Sequence, residues 1–171
     1  EPRDRLFTFG AAQNRQVQVE GLLSLLREQA SYNQPPQIVT IRGNVRFPGE
    51  YPLVRNMTVD DLVKFSAGLN ADTQLDFALL ERRIDLQGNV ALEAASFDPQ
   101  TLLTRSTIQL NSLDEVIVFN ANEPRDGLVA NTLEKLRFQA NTNDPALIVS
   151  ITGNVKFPGS YPLYRNLSVE D

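Results

Sequence analysis

A stretch of 24 residues occurs twice in this chain of 171 residues, at an offset of 110 positions. Residues 38–61 read IVTIRGNVRFPGEYPLVRNMTVDD and residues 148–171 read IVSITGNVKFPGSYPLYRNLSVED, with 16 identities and no gap. Solenoid repeats recur every 20 to 50 residues, roughly, so a period of 110 residues is too long for a solenoid. The repeat instead indicates tandem domains, of which the second is represented by its opening part.

The same register continues towards the N-terminus. Val19, Leu23, Leu26 and Ala30 face Val129, Leu133, Leu136 and Ala140 at the offset of 110. Spacings of 4, 3 and 4 place these apolar residues on one stripe of a helix. DRLFTF (4–9) likewise faces DEVIVF (114–119), a run typical of a buried strand. We therefore expect an amphipathic connector helix before each copy, and a closing strand before each helix.

Between the two copies, the first unit contains further elements. TVDDLVKFSAG (58–68) predicts a helix with Thr58 as N-cap, Asp61 as its partner and Gly68 at the C′ position. FALLERRI (77–84) and NVALEAASF (89–97) predict two strands of a hairpin. DPQTLL (98–103) predicts a short helical turn.

The repeated FPG motif predicts a turn. In Phe47-Pro48-Gly49-Glu50, proline suits the second position of a type II turn and glycine suits the third, where φ is positive. A phosphate-binding loop would need Lys-Ser or Lys-Thr after the last glycine, and Glu50-Tyr51 stands there instead. The motif is therefore interpreted as the turn of a hairpin whose second strand contains Pro52, a residue suited to a sheet edge.

The order hairpin, helix, hairpin, short turn and closing strand predicts an α+β fold in which a mixed sheet wraps one helix, as in the ubiquitin-like β-grasp. The predicted organisation has four parts. These are the closing strand of a preceding unit with a connector helix (1–37), a complete β-grasp domain (38–120), a second connector helix (121–146) and the first hairpin of a second, truncated domain (147–171).

The composition of the chain excludes several classes of function. The chain has no histidine and no cysteine, which removes the usual general base, thiol catalysis and the commonest zinc ligands. Its net charge is −5 without a basic cluster, which argues against nucleic acid. No apolar run approaches the roughly 20 residues of a membrane span. We expect no enzyme activity, no cofactor, no metal site and no membrane contact by these residues.

Polar and aromatic residues that recur with the repeat are the candidate contacts to a sugar. An aromatic face can stack on a sugar ring, and amides and guanidinium groups can bind its hydroxyls. The alternative is structural: asparagines satisfy turns, arginines pair with carboxylates and tyrosines belong to the core. The candidates are Asn44, Arg46, Tyr51 and Arg55, with their counterparts Asn154, Lys156, Tyr161 and Arg165.

The stretch from 39 to 83 resembles the soluble-ligand-binding β-grasp (SLBB) domains of bacterial outer-membrane polysaccharide export proteins of the Wza type. The similarity lies in Gly-x-Val-x-x-Pro-Gly-x-Tyr at 43–51, the helix from 58 and the strand ending LLERR. SAGLN (66–70) differs from the double glycine usual in that family. The resemblance supplies no catalytic residues to carry over.

This resemblance implies a capsule or exopolysaccharide export protein that is periplasmic and associated with the outer membrane. It implies three partners: the transported polysaccharide, neighbouring copies in a homo-oligomer, and the inner-membrane polysaccharide co-polymerase. Within that setting, the domains either assemble the channel, with polar contacts to the polymer, or bind a discrete soluble ligand such as a sugar. The chain is expected to be an interior segment of the longer protein.

Overall fold

A computed structural model describes residues 15–104 and 107–164. It contains three helices and seven strands, numbered in chain order. The helices are α1 (Arg15–Glu28), α2 (Val59–Phe65) and α3 (Asp126–Gln139). The strands are β1 (Ile38–Gly43), β2 (Gly49–Pro52), β3 (Thr73–Arg83), β4 (Val90–Ala95), β5 (Glu115–Asn120), β6 (Ile148–Ile151) and β7 (Gly159–Pro162).

Five strands form one mixed sheet in the order β2-β1-β5-β3-β4. The pair β1–β5 is parallel, and the other neighbours are antiparallel. With α2 packed on one face, this is the predicted α+β arrangement of a mixed sheet around one helix. β2 lies at an edge of the sheet, where Pro52 removes no hydrogen bond from the centre. The predicted closing strand at 4–9 lies outside the described residues.

Helix α2 begins with the predicted capping box. The Asp61 amide donates to Thr58 Oγ1 (3.3 Å), and the Thr58 amide donates to Asp61 Oδ2 (3.0 Å). The hydrogen bonds that the Thr58 amide and hydroxyl donate to the Asp61 carboxylate lower its pKa. The prediction for the other end was wrong by one residue. Ala67 takes the left-handed C′ position (φ 66°), and Gly68 follows it and donates to the Val63 carbonyl (2.9 Å), which is a Schellman end.

The type II turn predicted at Phe47–Glu50 is not formed. Gly49 has φ 147° and already belongs to β2, where it pairs with Ile41. A side chain from α1 binds the next residue of this strand, because the Gln16 amide bonds both the N–H and the C=O of Glu50 at 3.1 Å. A Cβ at position 49 would lie 2.2 Å from Gln16 Cδ. Glycine is thus needed at position 49, because the Gln16 side chain lies too close for a Cβ and φ is positive. Gln16 also binds the N–H and C=O of Glu50, which would otherwise be unpaired at the edge of the sheet.

The inner face of the sheet carries the main core. Val39 and Ile41 of β1 and Val116 and Val118 of β5 point to this face and are fully buried. Leu62, one of the residues of α2 that cover them, has no exposed surface. Phe97, Ile108 and Leu110, from the segments after β4 and before β5, close the remainder of this core.

The outer face of the sheet is covered by the connector helices. Leu79, Ile117 and Phe119 pack with Val129 and Leu133 of α3. A buried carboxylate anchors the helix, because Thr132 Oγ1 donates to Glu81 Oε2 (2.6 Å) and Lys135 pairs with the same carboxylate. Helix α1 covers the β1 side, where Val19, Leu23 and Ile38 form a smaller cluster.

The hairpin β6–β7 repeats the geometry of β1–β2. Ile148 pairs with Pro162 as Ile38 pairs with Pro52, and the two ladders keep the offset of 110 throughout. α3 packs along β7 as α1 packs along β2. The hairpins therefore share one local structure. The predicted domain boundaries stay predictions.

A second buried carboxylate joins the end of the sheet to the loop before β5. Asp114 is fully buried and accepts hydrogen bonds from Arg82 Nη2 and the Asn111 amide, each at 2.8 Å. Its hydrogen bonds raise the pKa of Arg82. Arg82 also approaches the exposed Glu93 carboxylate at 3.9 Å. Asp114 and Glu93 thus share the Arg82 guanidinium, but Asp114 is buried and Glu93 is exposed.

Asp114→Ala should destabilise the chain by about 3 to 5 kcal/mol, because it leaves Arg82 without its buried partner. Glu93→Ala removes an exposed partner of the same arginine and should cost under about 1 kcal/mol. Urea unfolding of the two variants, followed by circular dichroism, measures both values. Equal losses would show that burial of the Asp114 pair contributes nothing to stability.

Candidate functional site

The candidate Asn44 belongs to a hydrogen-bonded network at one end of the sheet. Its Nδ2 donates to Asp72 Oδ1 (3.0 Å) and Thr73 Oγ1 (3.1 Å), and its Oδ1 accepts from Asn70 Nδ2 (3.1 Å). Asn120 Nδ2 donates to the other oxygen of Asp72 at 2.5 Å. The network ties the ends of β1 and β5 to the start of β3, so Asn44 serves the fold and its amide is already occupied.

Tyr51 is also a structural residue. Its side chain is 1% exposed, and its hydroxyl donates to the Phe47 carbonyl at 2.8 Å. Burial raises the pKa of this phenol. The hydrogen bond closes the loop between β1 and β2 from inside the core. Tyr51 therefore cannot stack on a sugar here, and its prediction as a contact residue is corrected.

The two arginines of the first copy remain on the surface. Arg46 and Arg55 are both exposed. The Arg46 amide donates to the Gly68 carbonyl (3.0 Å), which fixes the backbone at the base of its side chain. Of the four candidates in the first copy, these two can therefore reach a ligand, and the other two hold the loop between β1 and β2, which carries Arg46.

The second copy shows a related division. Asn154 and Lys156 are exposed, and Lys156 Nζ donates to the Ala121 carbonyl at 2.6 Å. Tyr161 Oη donates to the Phe157 carbonyl at 2.7 Å, which repeats the bond made by Tyr51. Its ring is half-buried, unlike that of Tyr51. Arg165 lies outside the described residues.

A cleft of about 600 Å³ lies between α3, the outer face of the sheet and the second hairpin. Its lining is mainly apolar, and it includes the Arg125 guanidinium, whose Cζ lies 5.8, 5.4 and 5.6 Å from the ring centroids of Phe77, Phe119 and Phe157. These four residues were not among the predicted site residues. A signal for three of them was present, since Phe9, Arg15 and Phe47 recur at the offset of 110 as Phe119, Arg125 and Phe157.

The described residues contain neither a cluster of metal ligands nor a helix that could span a membrane. Across 15–104 and 107–164, no group of three or more acidic residues is placed to hold a metal ion. Among the helices of the same ranges, none is long and apolar enough to cross a bilayer. The expectations of no enzyme activity and no cofactor stay predictions.

Comparison with known families identifies the central part of the chain. Residues 38–92 match the SLBB domain family. This part of the chain is therefore similar to SLBB domains. The matched region runs from β1 into β4 and contains helix α2 together with Asn44, Asn70 and Asp72 of the Asn44 network. This confirms the resemblance at the level of the domain. The same comparison made with curated proteins finds no match.

The Asn44 network predicts a titration that can be measured. Hydrogen bonds, first from Asn44 and then from Asn120, lower the pKa of Asp72 below 3.8. A lowered pKa in the folded state means that the stabilisation is present above pH about 3.8 and is lost as the pH falls through the folded pKa. In Asn44→Ala, NMR titration should place the Asp72 pKa closer to 3.8 than in the parent chain. Arg55→Ala, the exposed control, should leave the titration unchanged, and an unshifted Asp72 in Asn44→Ala would contradict the network.

Proposed function

We propose that this chain is a periplasmic segment of a bacterial polysaccharide export protein, in which SLBB domains stack through connector helices to assemble the export channel. The supporting observation is the position of α3. It packs against the outer face of the SLBB sheet through Val129 and Leu133, and it also packs along β7 of the following hairpin. Such a helix joins successive units through buried contacts, so it acts as more than a flexible linker.

Helix α1 carries an apolar surface on the side that α3 uses for the sheet. In the repeat register, Leu22 and Leu25 correspond to Thr132 and Lys135, the residues that bond Glu81. Leu25 is 48% exposed and Val17 is 74% exposed. These residues favour packing of α1 against the sheet of a preceding unit, as α3 packs on the sheet described above.

The internal hydrogen bonds of Asn44 and Tyr51 favour a role in assembly over binding of a discrete ligand. A sugar site needs several free polar groups around an accessible ring. Asn44 and Tyr51 are bonded internally, so the first hairpin presents the exposed cations Arg46 and Arg55 without an aromatic platform from Tyr51. Contact with the polymer, in this proposal, is limited to such exposed side chains along the channel.

The setting and the partners rest on the resemblance to polysaccharide export proteins together with the SLBB match. In this setting the full-length protein forms a homo-oligomer associated with the outer membrane. It meets the inner-membrane polysaccharide co-polymerase on the side opposite the pore. The polysaccharide passes through the assembly, and this segment contributes no catalytic step.

A second function is favoured by one observation, the cleft beside Arg125. Clefts at interfaces between modules often bind ligands, and this one offers aromatic rings and a guanidinium. In that case the SLBB domain is a module for a discrete soluble sugar. The two functions differ in whether the purified chain binds an oligosaccharide saturably.

The assembly function predicts a defect from α1. In the full-length protein, Leu25→Glu should reduce exported polysaccharide about tenfold, because an apolar contact worth about 1.5 kcal/mol or more would be lost. Ser24→Glu, at the neighbouring exposed position, is the matched control and should export normally. Export is measured as surface polysaccharide at equal protein levels. Full export by Leu25→Glu would contradict assembly through α1.

The alternative function predicts binding by the isolated chain. Under the assembly proposal, calorimetric titration with oligosaccharides of the exported polymer should give no saturable binding. Saturable binding that is lost in Arg125→Leu would instead establish the cleft as a sugar site. Arg55→Ala serves as the control for surface charge, because this arginine lies on the first hairpin and does not line the cleft.

A further inference from the structure

The second hairpin exposes positions that the first hairpin buries. Ile41 has no exposed surface, whereas its counterpart Ile151 is 40% exposed. Val45 is 3% exposed and its counterpart Val155 is 43% exposed. Because the two ladders have the same register, these residues point from the same side of each hairpin. The second hairpin thus presents the side that forms the core of the first unit.

In the first unit, this side is covered by α2. Val59, Leu62 and Val63 of that helix belong to one buried cluster with Ile41 and Val45. Around the second hairpin, the corresponding side opens into the cleft of about 600 Å³. The first unit therefore shows what kind of element fits against such a hairpin.

An arginine identifies the end of the element that would lie in the cleft. Arg15 Nη1 donates to the carbonyls of Lys64 (2.8 Å) and Phe65 (2.6 Å), which end α2, and its guanidinium lies 6.0 Å from the ring centroid of Phe47. A cation at this end also complements the helix dipole. Arg15 thus holds the C-terminal end of α2 against the hairpin.

Arg125 occupies the corresponding position at the second hairpin. Its guanidinium lies against Phe157, the counterpart of Phe47, but rings of the preceding sheet take the place of helix carbonyls. The apolar lining and the position of this guanidinium match the same partner, an apolar surface that ends in free carbonyl groups.

We propose that the cleft beside Arg125 is the docking site of a helix of the α2 type. The apolar side of the helix lies on Ile151 and Val155, and its last carbonyls accept hydrogen bonds from Arg125. This inference rests on the tandem arrangement in the proposed function. The partner has a defined pattern: a Thr or Ser cap, two adjacent apolar residues such as Leu62-Val63, and a Schellman end.

The lining favours a helix over a sugar. A pyranose needs several hydrogen bonds to its hydroxyls, and the Tyr161 hydroxyl in the cleft already donates to the Phe157 carbonyl. Apolar groups at Val149, Ile151 and Val155 would instead be left against a polar ligand. Covering such groups with Leu or Val side chains removes apolar surface from water, which stabilises the complex.

A chain extension tests the proposal. A copy of residues 62–120 is attached after Asp171, which continues the repeat in register and supplies an α2-type helix and its sheet. Hydrogen exchange of the β6–β7 amides should then slow by about 100-fold or more relative to the unextended chain, since two or more apolar side chains become buried. The matched control carries Leu62→Asp and Val63→Asp in the attached copy and should show the exchange of the unextended chain. Equal protection by both extensions, or by neither, would overturn the proposal.

Two variants and a second probe complete the test. Arg125→Leu should reverse about tenfold of the gained protection, and Arg125→Lys should reverse less, because a cation remains. Should the extended chain not fold, a peptide of residues 56–70 is added to the unextended chain. Its binding should shift the methyl NMR signals of Ile151 and Val155, and unshifted signals at millimolar peptide would overturn the proposal. The docking experiments use no polysaccharide, so their failure can be distinguished from failure of the export experiment.

Discussion

The central strands of the sheet bury side chains on both faces, and the rest of the structure follows from this constraint. In β5, Val116 and Val118 lie in the inner core, while Ile117 and Phe119 lie in the outer cluster. Because successive side chains of a strand point to opposite faces, such a sheet needs two covers. Helix α2 supplies the inner cover and α3 the outer one, so a helix that follows the SLBB match in sequence is required for the fold of that domain.

This requirement couples the sheet to the second hairpin. The helix that covers the outer face also packs along β7, and the Glu81 carboxylate holds it through Thr132 and Lys135. A buried carboxylate with two partners fixes one position of the helix on the sheet, because any shift would leave the charge unpaired. The orientation of one unit can thereby be transmitted to the next through packed contacts. That property suits a protein whose domains are proposed to stack into a channel.

Local signals in the sequence were sufficient for much of the fold. The run DEVIVF and the Thr58–Asp61 capping box depend on nearby residues, and both took the expected structures. The turn at Gly49 was mispredicted because pairing with Ile41 of β1 includes this glycine in the strand, as pairing with Ile151 includes Gly159. The site could not be predicted for the same reason. Asn44 is held by Asp72, and Arg125 meets rings from β3, β5 and the loop before β7, contacts that no local pattern encodes.

Native-state hydrogen exchange of α3 tests most directly whether the connector helix belongs to the domain. If the helix belongs to the domain, the amides around Val129 and Leu133, whose side chains are buried against the outer face, should open with the same free energy as those of β5. Glu81→Ala should then release α3 before the sheet opens. Exchange of the α3 amides near the rate of an unprotected chain, while β5 stays protected in the parent protein, would contradict the account.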